Sequence, residues 1–283
     1  MQPPTATAVA EPPAVATLNA STIYGALRGL QTFSQLVKFN LSSATYTVFG
    51  VHVQDAPRFE FRGVMADTSR NFVSLGELRM LCDAMEANKL NALHLHLTDT
   101  QSWPIEIEGF PLLTQWLAYG NAKYDTAENG TTAHIYSMKE MSAVVDYCLD
   151  RAVRVIPEVD MPGHLTAQDA YPSYFAPQDN PHGCATNASL TCERGLIDIT
   201  SDHGFELIEG IWKSLINTFP GGEYHIGGDE VWSVPWSNSS EVVAWCKAHP
   251  QCRMTPRFHA ATSTTCNLTS RGRSCKYSFL QFS

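Results

Sequence analysis

The chain has 283 residues, a net charge of −9 at pH 7 and a hydrophobic fraction of 44%. This length fits one large domain or two small ones, and the apolar content is sufficient for a folded core. The acidic balance, with basic residues dispersed, argues against a nucleic acid or an anionic membrane surface as the main partner. No apolar run in the sequence reaches the roughly 18 residues of a membrane span.

The first 57 residues predict only short elements, too few for an independent domain. Residues 1–16 are rich in Pro, Ala and Thr and are typical of a disordered or linking segment. Apolar spacing predicts a helix over 21–37 with Ser21 as its cap, and 45–57 predicts a strand followed by a turn. The opening residues contain no basic region and no continuous apolar run, so a signal peptide is not predicted there. Either the protein stays inside the cell, or the functional precursor begins elsewhere.

From Phe59 onward, predicted strands and helices alternate. Capping boxes at Ser74–Glu77 and Ser137–Glu140 open two of the helices. The alternation predicts a parallel α/β sheet, and the lack of a glycine-rich phosphate loop favours a barrel over a doubly wound sheet. After Pro250 no helical or strand period remains. The predicted strands are 61–67, 90–99, 154–160 and 223–229, and the helices 74–88, 137–151, 203–219 and 238–249.

The cysteines and asparagines bear on the compartment. Cys82 and Cys148 fall on the apolar faces of predicted helices, which favours buried thiols, whereas Cys184 and Cys192 bracket a polar loop that a disulfide could close. N-x-S/T sequons begin at six asparagines, more than the roughly two expected by chance, which hints at a secretory route. The alternative is a Ser/Thr-rich chain with chance matches. The sequons are at Asn19, Asn40, Asn129, Asn187, Asn238 and Asn267.

Polar clusters lie at the predicted carboxyl ends of the strands, where α/β folds place their sites. In "YHIGGDEVW" (224–232), Gly227 and Gly228 precede the adjacent carboxylates Asp229 and Glu230. Two such carboxylates in a semi-enclosed site suit one group as acid and the other as stabilising anion. An equally acceptable interpretation is a strand–helix junction capped by Asp229.

Residues at the other strand ends favour the catalytic interpretation. His164 could adjust the proton affinity of Glu230, Asp99 could orient His164, and Arg62 could bind hydroxyls or a carboxylate. Each residue taken singly is more often structural. A coincidence of all of them at the strand ends of one sheet is much rarer.

His94 and His96 share one face of a strand, an H-x-H arrangement that also occurs in metal sites. With His225, Asp229 or Asp160 they could hold zinc in a metal-dependent hydrolase. We favour a neutral, hydrogen-bonded histidine in a barrel interior, because amidohydrolases place H-x-H on the first strand.

Four segments together resemble, in order and spacing, the barrel of the β-N-acetylhexosaminidases, glycoside hydrolase family twenty. They are "FRGVMADTSRNF", "NALHLHLTDTQSWP", "RVIPEVDMPGH" and "YHIGGDEV". The segment 21–37 resembles the connection from that family's small α/β N-terminal domain. The resemblance covers about residues 17–249 and implies an α/β fold, a partial (β/α)8 TIM barrel of about four β/α units after a remnant of that domain.

The family implies substrate-assisted retaining hydrolysis of N-acetyl-β-hexosamines, without cofactor or metal. Glu230 would be the general acid/base, and Asp229 would orient the 2-acetamido group and stabilise the oxazolinium ion. Asp99 and His164 match the pair that supports the acid. Arg62 matches the arginine that binds sugar hydroxyls, and Asp160 a further site aspartate.

The resemblance also has gaps. Nothing after Pro250 matches the tryptophans, tyrosine and acidic residue of later barrel strands, which predicts a truncated member. The domains expected are a Pro/Ala-rich start with a domain remnant (1–57), the first half of the barrel (58–250) and a divergent tail (251–283).

The partner implied is a glycan or chito-oligosaccharide, and dimers in the family make a homodimer the assembly to test. Family and sequons favour a secreted or vacuole-like location. The alternative function is a catalytically inactive remnant that binds sugar or a full-length homologue.

Overall fold

The computed structural model describes residues 15–120, 134–165, 167–179, 196–228, 230–231, 234–249 and 252. The chain divides into two compact units, Met1–Pro57 and Arg58–Ser283. Within the described ranges, no helix is long and apolar enough to cross a membrane.

In residues 15–57, the described part of the first unit, there are one helix and one hairpin. Helix α1 (Ile23–Leu36) begins after Thr22, whose side-chain oxygen accepts the Gly25 N–H, so the cap is one residue later than the predicted Ser21. Strands β1 (Lys38–Asn40) and β2 (Thr45–Thr47) pair antiparallel. The predicted strand in this region is therefore limited to its first three residues.

The second unit is built on a parallel sheet, as the alternating pattern predicts. Strands β3 (Gly63–Asp67), β4 (Ala92–Thr98) and β5 (Arg154–Val159) lie in the order β3-β4-β5 with all strands parallel. Helices α2 (Leu75–Ala87) and α4 (Met138–Leu149) open with the two predicted capping boxes, and in each the serine and glutamate bond reciprocally. The local signals thus locate both helix starts correctly.

The remaining helices of the described ranges are α3 (Leu112–Leu117), α5 (Asp202–Thr218), α6 (Val234–Ser237) and α7 (Ser240–Ala248). Ser239, rather than the predicted Asn238, caps α7 by accepting the Val242 N–H. Two 3₁₀ turns, Ala167–Asp169 and Pro172–Tyr174, follow β5.

The predicted strand at 223–229 is only a single parallel bridge, between His225 and Glu158. His225 N–H donates to Pro157 O at 3.0 Å, so the segment does run beside β5. Gly227 and Gly228 then adopt φ values of +65° and +101°, outside the extended region, which ends the ladder.

The core lies between the sheet and its helices. Leu93, Leu95 and Leu97 of β4 are fully buried and pack into one cluster with residues of α2 and α4. The same packing brings Cys82 and Cys148 together as a disulfide with Cα atoms 5.5 Å apart, so the prediction of two buried thiols is wrong. Cys246 and Cys252 form a second bridge. The predicted Cys184–Cys192 pair lies outside the described residues.

Candidate active site

The carboxyl ends of β3, β4 and β5 meet at one edge of the sheet, and β4 alternates between two environments. Its leucines face the helices, so His94 and His96 project from the opposite face. The register places His96 between Asp67 of β3 and Glu158 of β5. This edge opens into a cleft of about 300 Å³ lined by Met65, Arg70, His94, His96, Asp99, Glu158, His225 and Gly227.

Glu158, 5% exposed, is the anion around which three histidines gather. Its Oε2 lies 2.6 Å from His94 Nε2 and 2.9 Å from His96 Nδ1, and its Oε1 lies 3.0 Å from His225 Nδ1. Gly227 N also lies 3.1 Å from His225 Nδ1, and this nitrogen can accept that N–H or donate to Glu158, but not both at once. Burial raises the pKa of Glu158, but the facing histidines outweigh it and hold the pKa well below its usual range.

His96 lies between two carboxylates. Its Nε2 is 2.9 Å from Asp99 Oδ2 and its Nδ1 is 2.9 Å from Glu158 Oε2, and the residue is 8% exposed. Burial lowers the pKa of His96, yet the hydrogen bonds and charges of Asp99 and Glu158 raise it to about 10. The sequence predicts one neutral, hydrogen-bonded histidine on this strand, and the two carboxylates that face His96 favour its charged form.

Asp99 connects His96 to the predicted acid. Its Oδ1 lies 3.1 Å from His164 Nδ1, and its Oδ2 also meets Arg70 Nη2 at 2.7 Å. Burial raises the pKa of Asp99, but His164, His96 and the Thr100 amide lower it well below its usual range. On the far side of the imidazole, His164 Nε2 lies 3.7 Å from Glu230 Oε2.

The backbone around the acid is constrained. His164 and Glu230 adopt φ values of +54° and +49°, in the left-handed region that non-glycine residues rarely occupy. Asp160, 1% exposed, accepts the Gly228 N–H at 2.5 Å and lies 4.0 Å from His164 Nε2. Asp229 lies outside the described residues, so its predicted role has no geometry here.

The predicted placement of Arg62 at the site is wrong. Arg62 precedes β3, and its guanidinium donates to Lys89 O at 2.8 Å and Phe59 O at 2.6 Å, at the amino end of the sheet. Arg70, which follows β3, is the arginine at the site edge. It pairs with Asp67 at 2.8 Å and Asp99 at 2.7 Å while its side chain is 42% exposed. Its position after the strand, in "ADTSR", is the signal that could have identified it.

Two groups of donors could converge on a cation, His94–Glu158–His225 and Asp99–Asp160–His164. In both groups, however, an imidazole nitrogen is already at a proton-sharing distance from a carboxylate, 2.6 Å between His94 Nε2 and Glu158 Oε2 and 3.1 Å between His164 Nδ1 and Asp99 Oδ1. Each imidazole thus faces a carboxylate directly, an arrangement that protons satisfy without a metal.

The catalytic-domain model of glycosyl hydrolase family 20 matches residues 59–271. The match therefore extends past residue 249, where the resemblance seen in the sequence ends. β-Hexosaminidase 3 of Arabidopsis thaliana is 36% identical over 242 residues, covering 84% of this chain and 41% of that protein. The mouse β-hexosaminidase subunit beta is 34% identical over 234 residues, covering 82% of this chain and 40% of that protein.

Solved structures agree with the sequence comparisons. A family 20 exo-β-N-acetylglucosaminidase from Vibrio harveyi, crystallised with N-acetylglucosamine, aligns with a TM-score of 0.66 at 27% identity. The alignment covers 78% of this chain and 35% of that one. The chain thus spans about two fifths of the length of the curated relatives it matches. By its matched domain and its relatives, the chain belongs to glycosyl hydrolase family 20.

Proposed function

We propose that the chain hydrolyses terminal, non-reducing N-acetyl-β-hexosamine residues, with Glu230 as general acid/base. The observation that supports this most directly is the sequence of contacts from Asp99 through His164 to Glu230, at 3.1 and 3.7 Å, at the carboxyl ends of parallel strands. An imidazole held between two carboxylates is suited to adjust the protonation of the outer one.

In the proposed reaction, the Glu230 carboxylic acid gives its proton to the glycosidic oxygen as the C1–O bond breaks. The carbonyl oxygen of the substrate's own acetamido group attacks C1 and forms an oxazolinium ion, whose positive charge Asp229 stabilises. Water then attacks C1, the Glu230 carboxylate accepts a proton from it, and the acetamide is restored with retention at C1.

Arg70 and Asp160 complete the proposal. Arg70 takes the sugar-binding role first assigned to Arg62, because its half-exposed guanidinium lies at the cleft and is fixed by two carboxylates. Asp160 holds the loop before Glu230 through its bond to the Gly228 N–H. Both assignments rest on the position of Arg70 and Asp160 at the sheet edge where Glu230 also lies.

We further infer that strands β3, β4 and β5, with the bridge at His225, belong to the first four β/α units of a (β/α)8 barrel, since the family 20 match begins at residue 59. Two disulfides and the sequons favour an oxidising compartment, such as the secretory route or a vacuole-like organelle.

A second candidate is sugar binding without hydrolysis. The Glu230 side chain is 71% exposed, whereas general acids function best in enclosed sites from which water is excluded. This observation favours the inactive alternative, in which the cleft binds N-acetylhexosamine but no bond is broken.

Release of 4-nitrophenol from 4-nitrophenyl N-acetyl-β-glucosaminide tests both candidates. Glu230→Gln should lower kcat by roughly 10² to 10⁴, while Glu223→Gln, which changes a surface glutamate paired with Arg154, serves as the matched control. N-Acetylglucosamine binding is measured in parallel by calorimetry. Binding by the folded chain without hydrolysis would select the second candidate, and neither activity would overturn both.

A further inference from the structure

The two ring nitrogens of His96 face opposite carboxylates, Asp99 Oδ2 and Glu158 Oε2, each at 2.9 Å. A nitrogen lone pair at that distance from an anionic oxygen is repulsive, and a ring that is 8% exposed has little water to screen it. The pKa values of both carboxyl groups are held well below their usual range, so both are ionised. Both nitrogens of His96 therefore carry protons, and the ring is a buried imidazolium.

Asp99 is the only anion that touches both His96 and His164 within the described part of the chain. Its Oδ2 faces His96 and Arg70, and its Oδ1 faces His164 and accepts the Thr100 N–H at 2.6 Å. The positive charge on His96 therefore competes with a proton on His164 for the same carboxylate.

We propose that His96 is a positioning residue, a fixed imidazolium whose charge limits the protonation of His164 and thereby keeps the proton on Glu230. The described contacts run from Glu158 through His96, Asp99 and His164 to Glu230, so that carboxyl groups and imidazole rings alternate along the series. The role of His96 rests on the proposed function, since only there does Glu230 act as an acid.

Other charged groups also lie near His96, and their effect on Asp99 has to be distinguished from that of His96. On the side of Glu158 these are His94 and His225, and on the side of β3 they are Asp67, its register partner, and Arg70. Arg70 also neutralises Asp99, but its side chain is 42% exposed and its charge is better screened than that of His96.

The sign of the effect follows from the charges. If His96 becomes neutral, Asp99 binds a proton on His164 more strongly, and the repulsion between the two imidazolium rings disappears. Both changes raise the pH at which His164 titrates. An imidazolium at His164 that persists to higher pH attracts the carboxylate form of Glu230, whose Oε2 lies 3.7 Å from His164 Nε2.

The test compares His96→Gln with His94→Gln, which changes the same residue type on the same strand face. His94 also touches Glu158, but no contact with Asp99 is seen for it within the described chain. The ring signals of His164, assigned by their loss in His164→Gln, are followed by NMR from pH 5 to 10 in each protein. The titration midpoint of His164 should rise by about one pH unit in His96→Gln and by much less in His94→Gln.

A second measurement uses the unaltered chain, in case His96→Gln does not fold. The ¹⁵N shifts of His96 at pH 8.5 should show protons on both ring nitrogens, whereas an ordinary histidine is neutral there. A single protonated nitrogen would overturn the proposal. So would equal shifts of His164 in the two glutamine variants.

Kinetics distinguish this inference from the proposed function. In an active chain, the alkaline limb of kcat/KM should move to lower pH in His96→Gln but not in His94→Gln, and an unmoved limb would overturn the role of His96. If the folded chain hydrolyses nothing, the proposed function fails, and the NMR comparison still decides whether His96 controls the charge on His164.

Discussion

Gly227 is the position where one added methyl group should damage the site most. Its φ is +65°, and a Cβ there would overlap the Asp160 carboxylate, which holds the Gly228 N–H at 2.5 Å. A left-handed alanine costs about 1–2 kcal/mol, and displacing Asp160 costs a charged hydrogen bond of about 1.5–3 kcal/mol. Gly227→Ala should therefore lower the free energy of unfolding by about 2.5–5 kcal/mol.

Two neighbouring glycines separate these contributions. Gly222 has a φ of +74° but open space around its Cβ position, so Gly222→Ala should cost only the backbone term of about 1–2 kcal/mol. Gly221 lies outside the left-handed region, and its Cβ would meet only Val155 O at 4.0 Å. Gly221→Ala should be neutral or stabilising by up to about 1 kcal/mol.

Urea unfolding of the three alanine variants gives the ranking directly, and N-acetylglucosamine binding reports the state of the cleft. If Gly227→Ala lowers the free energy of unfolding by no more than Gly222→Ala does, the overlap of the new Cβ with Asp160 does not destabilise the fold. The inferred role of that carboxylate in holding the loop before Glu230 would then be wrong.

Three further predictions concern other parts of the second unit. Replacing both Cys82 and Cys148 by serine should lower the free energy of unfolding by up to about 4 kcal/mol, because the bridge spans 66 residues; two reactive thiols in the unaltered chain would contradict this. His96, with its pKa raised from 6.5 to about 10, stabilises the fold fully below pH 6.5 and loses this contribution as pH rises through 10. The free energy of unfolding obtained from urea titrations should decline over that window, by up to about 1.4 kcal/mol per pH unit, and the decline should flatten in His96→Gln. Arg70→Gln should weaken substrate binding roughly 10-fold or more, while Arg62→Gln should affect urea stability instead; a larger KM change for Arg62→Gln would refute the assignment.

The helices of the second unit could be predicted because their signals are local. In α2 and α4 a serine and a glutamate three residues later fix the helix start, and this is independent of what the helix packs against. The predicted fourth strand lacked such a signal. Alternation near His225 indicated a strand, but two glycines with positive φ end the pairing after one bridge.

The cysteines show what a periodic pattern leaves out. The apolar faces of α2 and α4 identify Cys82 and Cys148 as buried, and both are 0% exposed. Their bonding depends on how the two helices pack, which brings their Cα atoms within 5.5 Å. Sequence spacing indicates the face of a helix but not the residue opposite it.

The length of strand β3 explains why the predicted placement of Arg62 at the site is wrong. Arg62 precedes β3 and Arg70 follows it, so the five residues of this strand lie between them. At about 3.3 Å per residue, a strand of that length separates its two ends by roughly 16 Å. Only the arginine after the strand can reach a site built at the carboxyl ends, and strand direction alone was enough to decide this.

The charge of His96 could not be predicted from the sequence near it. Asp99 is three residues away along the chain, but Glu158 comes from the next strand, and only their joint approach requires a proton on each ring nitrogen. Buried carboxylates at Asp99 and Glu158 would each be costly alone, because an unpaired buried charge costs about 3–5 kcal/mol. The imidazolium of His96 faces both carboxylates, while Arg70 also pairs with Asp99. The histidine that stabilises the sheet interior thus also contributes to the electrostatic environment of His164. The same strand thus supplies leucines to the core on one face and the charge balance of the acid on the other.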